Sequence, residues 1–143
     1  MSTLGSAVRA GASALAAERM RIEVAVSNLA NAESTRGPDG QPYKRRDVVL
    51  QTATVQDFDA SLGRASAVGV EVAAVVEDQG PARRRYEPSH PDADADGFVL
   101  LPNVDQPQEM VDMLGAARAY QANLAAIGMI RDLIAKSLEL GRS

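Results

Sequence analysis

Apolar side chains recur at helical spacing at both ends of the chain. Near the N-terminus they lie seven positions apart, at Val8, Leu15, Ile22 and Leu29. Near the C-terminus the spacing alternates between threes and fours, and only Arg131 interrupts it. The members of this second stripe are Met110, Met113, Ala117, Tyr120, Leu124, Ile127, Ile134 and Leu138. The periodicity predicts two long amphipathic helices, each with a face that needs a partner.

The first helix is predicted over residues 3–33, with Ser2 or Thr3 as its N-cap. At 1.5 Å per residue such a helix is roughly 45 Å long. The Gly, Pro and Asp residues of 34–46 show no periodicity and are typical of a loop.

The second helix has two possible starts. Either Asp105 is the N-cap, with Gln108 in the third helical position, or Gln106 is the N-cap. In the second case Pro107 occupies the first helical position and Glu109 the third. Both alternatives place the start just before the C-terminal apolar stripe.

Between the helices, β-branched residues and turn signals predict short strands. The predicted runs are 48–50, 68–76, 84–87 and 97–101, whereas residues 53–66 fit a short helix or a loop. The resulting fold class is α+β. The predicted division is an N-terminal helical part, a loop with a small β-rich middle domain, and a C-terminal helical part, with bounds 1–36, 37–102 and 103–143.

The composition of the chain argues against several classes of function. The chain has 143 residues, and 45% are hydrophobic but only 3% aromatic, which predicts a thin core. A net charge of −4 argues against nucleic acid as a partner. Cysteine is absent, so disulfides and thiolate metal sites are excluded. No apolar run approaches the roughly 18 residues of a membrane span, and residues 1–30 do not resemble a cleavable signal peptide.

One acidic segment is a candidate metal site. Asp92, Asp94 and Asp96 stand at alternate positions and Gly97 follows, as in the first half of an EF-hand loop. The match then fails, because Asn103 occupies the twelfth position, where a bidentate Glu is needed. A calcium-binding module is therefore a weak alternative. With His90 as the only histidine and no nucleophile or phosphate-binding motif, no enzyme and no cofactor are predicted.

The two stripes allow two interpretations. They can bury each other as an antiparallel pair within one chain, which would make the protein a self-contained helical-hairpin adaptor. Alternatively, other copies cover them. Glycines inside the predicted helices, each costing roughly 1 kcal/mol relative to Ala, weaken isolated helices and permit close approach of neighbours, which favours assembly.

Two motifs resemble signatures of the flagellar basal-body rod and hook family. The segment Ser27-Asn28-Leu29-Ala30-Asn31, with Thr35 a few residues on, looks like the N-terminal signature of that family. The segments 103–105, 109–113 and 117–123 look like its C-terminal signature. The short middle and the segments 40–46 and 90–97 are similar to the proximal-rod branch of the family.

The resemblance implies a non-enzymatic structural subunit whose terminal helices pack as a coiled coil in a tubular rod that crosses the periplasm. It also implies export through the flagellar apparatus without a cleaved signal. Implied partners are further copies, the export apparatus, and sibling rod proteins of the FlgB, FlgF, FlgG and FliE types. Besides both apolar stripes, the candidate assembly residues include four polar side chains that would fix subunit register: Asn28, Asn31, Arg118 and Asn123.

Overall fold

A computed structural model describes residues 3–54 and 68–141. It has two long helices and two small antiparallel sheets, which confirms the α+β class. The elements in chain order are α1 (Thr3–Ala30), β1 (Arg46–Thr54), β2 (Val68–Glu77), β3 (Arg83–Tyr86), β4 (Phe98–Leu101) and α2 (Gln106–Leu140). The ambiguous segment 53–66 lies almost wholly outside the described residues, as does Ser2.

Helix α1 ends at Ala30, three positions before the predicted end. The Asn31 side chain donates to the Ser27 carbonyl at 2.8 Å, and the Ser34 hydroxyl donates to the Asn31 carbonyl at 2.8 Å. The same two carbonyls also accept backbone N–H groups, from Asn31 at 3.1 Å and from Ser34 at 3.0 Å, so the side chains reinforce a turn at this point. The chain therefore turns at Asn31, where periodicity alone predicts another helical turn.

Helix α2 begins according to the first of the two predicted alternatives. Asp105 is the N-cap, and its carboxylate accepts from the Gln108 backbone N–H at 3.3 Å. Pro107 falls in the first turn, where a missing N–H costs nothing. The helix continues for 35 residues and Gly141 caps its C-terminus.

Strands β1 and β2 form a ribbon whose register runs from Arg46 opposite Glu77 to Thr54 opposite Val68. The register shifts between Val49 and Leu50. The ribbon lies against α1, where the Val70 backbone N–H donates to the Ser13 hydroxyl at 3.1 Å. The predicted strands 48–50 and 68–76 are thereby confirmed.

The second sheet pairs β3 with β4, from Arg83 opposite Leu101 to Tyr86 opposite Phe98, and it confirms the other two predicted strands. The Tyr86 and Phe98 rings meet edge to face, with centroids 5.3 Å apart. Gly97 precedes β4 with a φ of +81°, and a Cβ there would lie 2.9 Å from the Tyr86 ring, so the turn requires glycine.

The helices pack against each other in antiparallel fashion, since Gly11 touches Ile127 near one end and Asn28 bonds Glu109 near the other. The buried side chains are small, as the composition predicts. The buried apolar residues are Ala17, Ala25, Ala32, Val99, Leu101, Val104 and Ala116. Neither of the two described helices is long and apolar enough to cross a membrane.

Candidate functional site

A buried amide joins the end of α1 to the start of α2. Asn28, only 1% exposed, donates to a Glu109 carboxylate oxygen at 2.9 Å and to the Arg46 carbonyl at 2.8 Å. Its carbonyl oxygen accepts from the Arg46 backbone N–H and from the Tyr43 hydroxyl, both at 2.9 Å. All four hydrogen-bonding positions of the amide are therefore used within the chain.

Glu109 is 2% exposed and lies in the first turn of α2. Its second carboxylate oxygen accepts from Arg45 Nε at 2.5 Å. Burial lowers the pKa of Arg45, but the hydrogen bond and charge of Glu109 outweigh it, so that the pKa lies above its ordinary value. Arg45 thus stays charged and neutralises the buried carboxylate. We call Asn28, Tyr43, Arg45 and Glu109 the polar latch.

A second set of contacts ties the segment after α1 to the turn before β4. The Thr35 hydroxyl donates to one Asp92 oxygen at 2.7 Å, and Arg36 lies 3.1 Å from the other. Nearby, Arg85 on β3 pairs with Glu33 at 2.6 Å. The end of α1, the small sheet and the start of α2 are therefore fastened together at one end of the helix pair.

The structure gives the acidic segment other roles than metal binding. The Asp94 carboxylate accepts from the backbone N–H groups of Asp96 and Phe98, both at 2.9 Å. The N–H of Phe98 is the main reason that the pKa of Asp94 lies below its ordinary value. Burial opposes this shift, and the N–H of Asp96 and the charge of Arg84 add to it. Asp92 is bound to Thr35. Among the described residues no three potential metal ligands converge.

The N-terminal stripe lies along the helix pair, with Val8, Leu15, Ile22 and Leu29 all half-buried. Asn31, also half-buried, bonds to its own helix end, whereas Asn28 enters the polar latch. Their contribution to contacts between subunits stays a prediction.

The C-terminal stripe divides. Its half-buried members are Met113, Ala117, Tyr120, Ile127 and Ile134, and its exposed members are Met110, Leu124 and Leu138. Of the polar candidates on α2, Asn123 is half-buried and Arg118 is exposed. The fully buried residues of α2 are Glu109 and Ala116, each one position before a predicted apolar residue. In the first turns of α2, the face that packs inward is therefore shifted by one residue from the predicted apolar stripe. It presents Glu109 and Ala116 to the rest of the chain.

Sequence reasoning missed three members of the polar latch. Tyr43 and Arg45 lie in a segment interpreted as a loop, and Glu109 is predicted only as a possible capping residue and as part of a signature segment. The signal that was available is Asn28 itself, because a polar amide next to an apolar stripe needs buried partners. Nothing in the local sequence identifies those partners.

Two family models match the ends of the chain. The model described as flagella basal body rod protein matches residues 9–38, and the model described as flagellar basal body rod FlgEFG protein C-terminal matches residues 95–140. The polar latch joins the two matched regions, since Asn28 lies in the first and Glu109 in the second. The fold and the matches define the class as a rod protein of the flagellar basal body.

Several curated proteins named flagellar basal-body rod protein FlgC are similar over nearly their whole length. The Salmonella typhimurium protein is 48% identical over 130 residues, covering 91% of this chain and 92% of its own. The Bacillus subtilis protein is 38% identical, with 92% and 93% covered, and the Borreliella burgdorferi protein 34%, with 96% and 97% covered. The chain therefore belongs to the flagellar basal-body rod family. Within this family, the chain is a FlgC-like structural subunit of the rod.

Proposed function

We propose that this subunit polymerises through its terminal helices into a tubular proximal rod that transmits torque and lets exported subunits pass. Residues 1–36 and 103–143 form the axial core as a coiled coil, and residues 37–102 form an outer domain. The subunit reaches the periplasm through the flagellar export apparatus without a cleaved signal. It associates with rod proteins of the FlgB, FlgF, FlgG and FliE types and has no enzymatic role.

The observation that carries the proposal is the apolar surface that α2 keeps after packing on α1. Large apolar side chains are exposed near both ends and in the second half of α2. They are Met110, Val111, Leu114, Leu124, Met129, Leu133, Leu138 and Leu140. Water-facing apolar patches of this extent mark interaction surfaces. Helices of neighbouring subunits would bury them, because a rod surrounds each axial helix with others.

The polar latch supports the same function by fixing the shape of the unit that assembles. It holds the helices in one antiparallel arrangement, with Asn28 and Glu109 at the end nearest the sheets. At the opposite end the helices meet through Gly11 and Ile127 instead. A subunit in a torque-bearing shaft needs such a defined hairpin, since buried polar groups penalise other arrangements.

The helical-hairpin adaptor is the weaker alternative. It predicts that the two helices bury each other's apolar faces, whereas Leu124 is 54% and Leu133 58% exposed. The calcium module is weaker still, because Asp92 and Asp94 are occupied by Thr35 and by backbone N–H groups.

Leu124→Asp in a flagellated host tests the proposal. Because Leu124 is exposed, the substitution leaves the folded subunit intact but places a carboxylate in the contact between subunits. We expect loss of swimming and of rods, with normal subunit synthesis and an unchanged unfolding midpoint of the purified protein. The matched control is Gln121→Asp, which introduces the same carboxylate at an exposed polar residue three positions before Leu124. Normal swimming with Leu124→Asp contradicts the proposal.

A further inference from the structure

The helix pair has two different outer stripes, one on each helix. On α1 the exposed positions alternate by fours and threes, at Ala12, Ala16, Arg19, Glu23, Val26 and Ala30. On α2 the corresponding exposed positions are Val111, Gly115, Arg118, Ala122, Ala125 and Met129. Such spacing places each set on one face of its helix. Both stripes stay exposed after α1 and α2 have packed together.

We propose that the α2 outer stripe of one copy of this chain packs against the α1 outer stripe of the next copy, antiparallel. The inference rests on the proposed function, since it names one pair of faces through which the rod subunit meets a neighbour. The occupant of each stripe is thus a second copy, and the two stripes of one copy contact different neighbours.

The two stripes have equal length and complementary side chains. When Ala12 of one copy lies opposite Met129 of the other, each large apolar residue meets a small one. The remaining opposed pairs, with the α1 residue first, are Ala16 with Ala125, Arg19 with Ala122, Glu23 with Arg118, Val26 with Gly115, and Ala30 with Val111. Large-to-small matching of this kind lets helices approach closely.

Charge favours the same register. Arg118 is exposed and has no ion-pair partner within residues 3–54 and 68–141. Glu23 accepts from Arg19 at 2.8 Å and remains about half exposed, so its carboxylate has room for a second partner. In the proposed contact Arg118 meets Glu23, which selects this register over neighbouring ones because a mispaired charge is disfavoured.

Gly115 leaves room on this face for a side chain of a neighbouring copy. A glycine inside a helix costs about 1 kcal/mol relative to Ala. Yet a Cβ at Gly115 would find no atom within 4 Å in the described structure. Packing inside the subunit therefore does not require this glycine, whereas the Val26 side chain of a neighbour, itself 47% exposed, fits the space.

The polarity of the contact suits a filament. Because α1 and α2 run antiparallel within one copy, an antiparallel α1–α2 contact between copies keeps all copies pointing the same way. The contact joins two different surfaces, so it is head to tail and leaves a free stripe at each end. Such a contact continues from copy to copy, in a ring or a helix, instead of closing a dimer.

Cysteine cross-linking tests the pairing, since the natural chain has no cysteine. Chains carrying both Val26→Cys and Gly115→Cys should give a ladder of disulfide-linked multimers when isolated basal bodies are treated with a mild oxidant. Chains with either cysteine alone should stay monomeric, because the contact is head to tail. The control pair Val26→Cys with Gln121→Cys should also stay monomeric, since Gln121 lies off the stripe.

Dimers from a single cysteine, cross-links to a different protein, or no ladder in rods that contain the double variant each overturn the inference. The last result leaves the proposed function intact, whereas failure of the natural chain to enter rods refutes that function.

A charge exchange provides a second measurement. Arg118→Glu should abolish swimming, Arg118→Glu with Glu23→Arg should restore it, and Arg131→Glu, off the stripe, should have no effect. Lack of restoration contradicts the pairing.

Discussion

The amide of Asn28 and the carboxylate of Glu109 are hydrogen-bonded at 2.9 Å although 81 positions separate them in the chain. The bond connects the end of the first helix with the first turn of the second, and Asn28 also pairs with the backbone of Arg46. One side chain thus sets the relative position of both helices and of the ribbon. This junction is where substitutions should disturb the subunit most.

Asn28→Ala should lower the free energy of unfolding by about 2 kcal/mol, because the Arg46 backbone groups and one oxygen of the buried Glu109 carboxylate lose this partner. Asn28→Asp should cost more, since it places a second carboxylate beside Glu109. Urea unfolding of the purified subunit measures both. Asn123→Ala, which removes a half-buried amide with no hydrogen bond in the described structure, is the control. An equal effect of Asn123→Ala and Asn28→Ala contradicts the role of the polar latch.

The Arg45–Glu109 pair should behave as a unit. Arg45→Met leaves the buried Glu109 carboxylate without its cation and should cost about 3 kcal/mol. Glu109→Gln should cost less, because Arg45 is only half-buried and keeps Asp47 as a partner at 3.3 Å. The double variant removes both charges and should be more stable than the sum of the single losses predicts. A double-mutant cycle by urea unfolding gives the coupling energy. Additive losses would show that the two side chains act independently.

Asp94 should contribute to acid sensitivity. The pKa of its carboxyl in the folded chain lies below the ordinary value of 3.8, so the unfolded chain takes up a proton first. The stabilisation is therefore complete above about pH 5 and is lost as the pH falls through the folded pKa. Asp94→Asn keeps an oxygen that accepts from Phe98 but cannot titrate. Its unfolding midpoint should fall less between pH 5 and 3 than that of the natural chain.

The control for this pH series is Asp96→Asn, because the Asp96 carboxylate has no hydrogen-bond or ion-pair partner in the described structure. Its pH profile should follow that of the natural chain. A profile for Asp94→Asn that also coincides with the natural chain would exclude Asp94 as a source of acid sensitivity.

Local chemistry made the elements predictable. β-Branched or aromatic residues and flanking turns marked the four strands, and segment 105–107 marked the start of α2, with Asp105 and Gln106 as alternative caps. The end of α1 was missed because the bonds at Asn31 and Ser34 are made by side chains that periodicity ignores. Of the polar latch, only Asn28 was predicted as a candidate residue. Its partners Tyr43, Arg45 and Glu109 come from distant segments, which the local sequence does not connect. Hydrophobic spacing also placed Met110 where the buried residue is Glu109.

Gly11 and Gly115 should respond oppositely to enlargement. A Cβ at Gly11 would lie 2.9 Å from Ile127 Cγ1, whereas a Cβ at Gly115 meets nothing within 4 Å in the described structure. Gly115→Ala should therefore raise the free energy of unfolding of the isolated subunit by about 1 kcal/mol, the difference in helix propensity. Gly11→Val should lower it, because the added methyl groups push the helices apart beside Ile127.

The matched changes Gly115→Val and Gly11→Ala complete this comparison. Gly115→Val should be close to neutral, since open space accepts the side chain. For Gly11→Ala, the gain in helix propensity is offset by the contact with Ile127, so its stability should fall below that of Gly115→Ala. Thermal unfolding followed by circular dichroism measures all four variants. If Gly11→Val were as stable as Gly115→Val, the close approach of the two helices at Gly11 and Ile127 would be refuted.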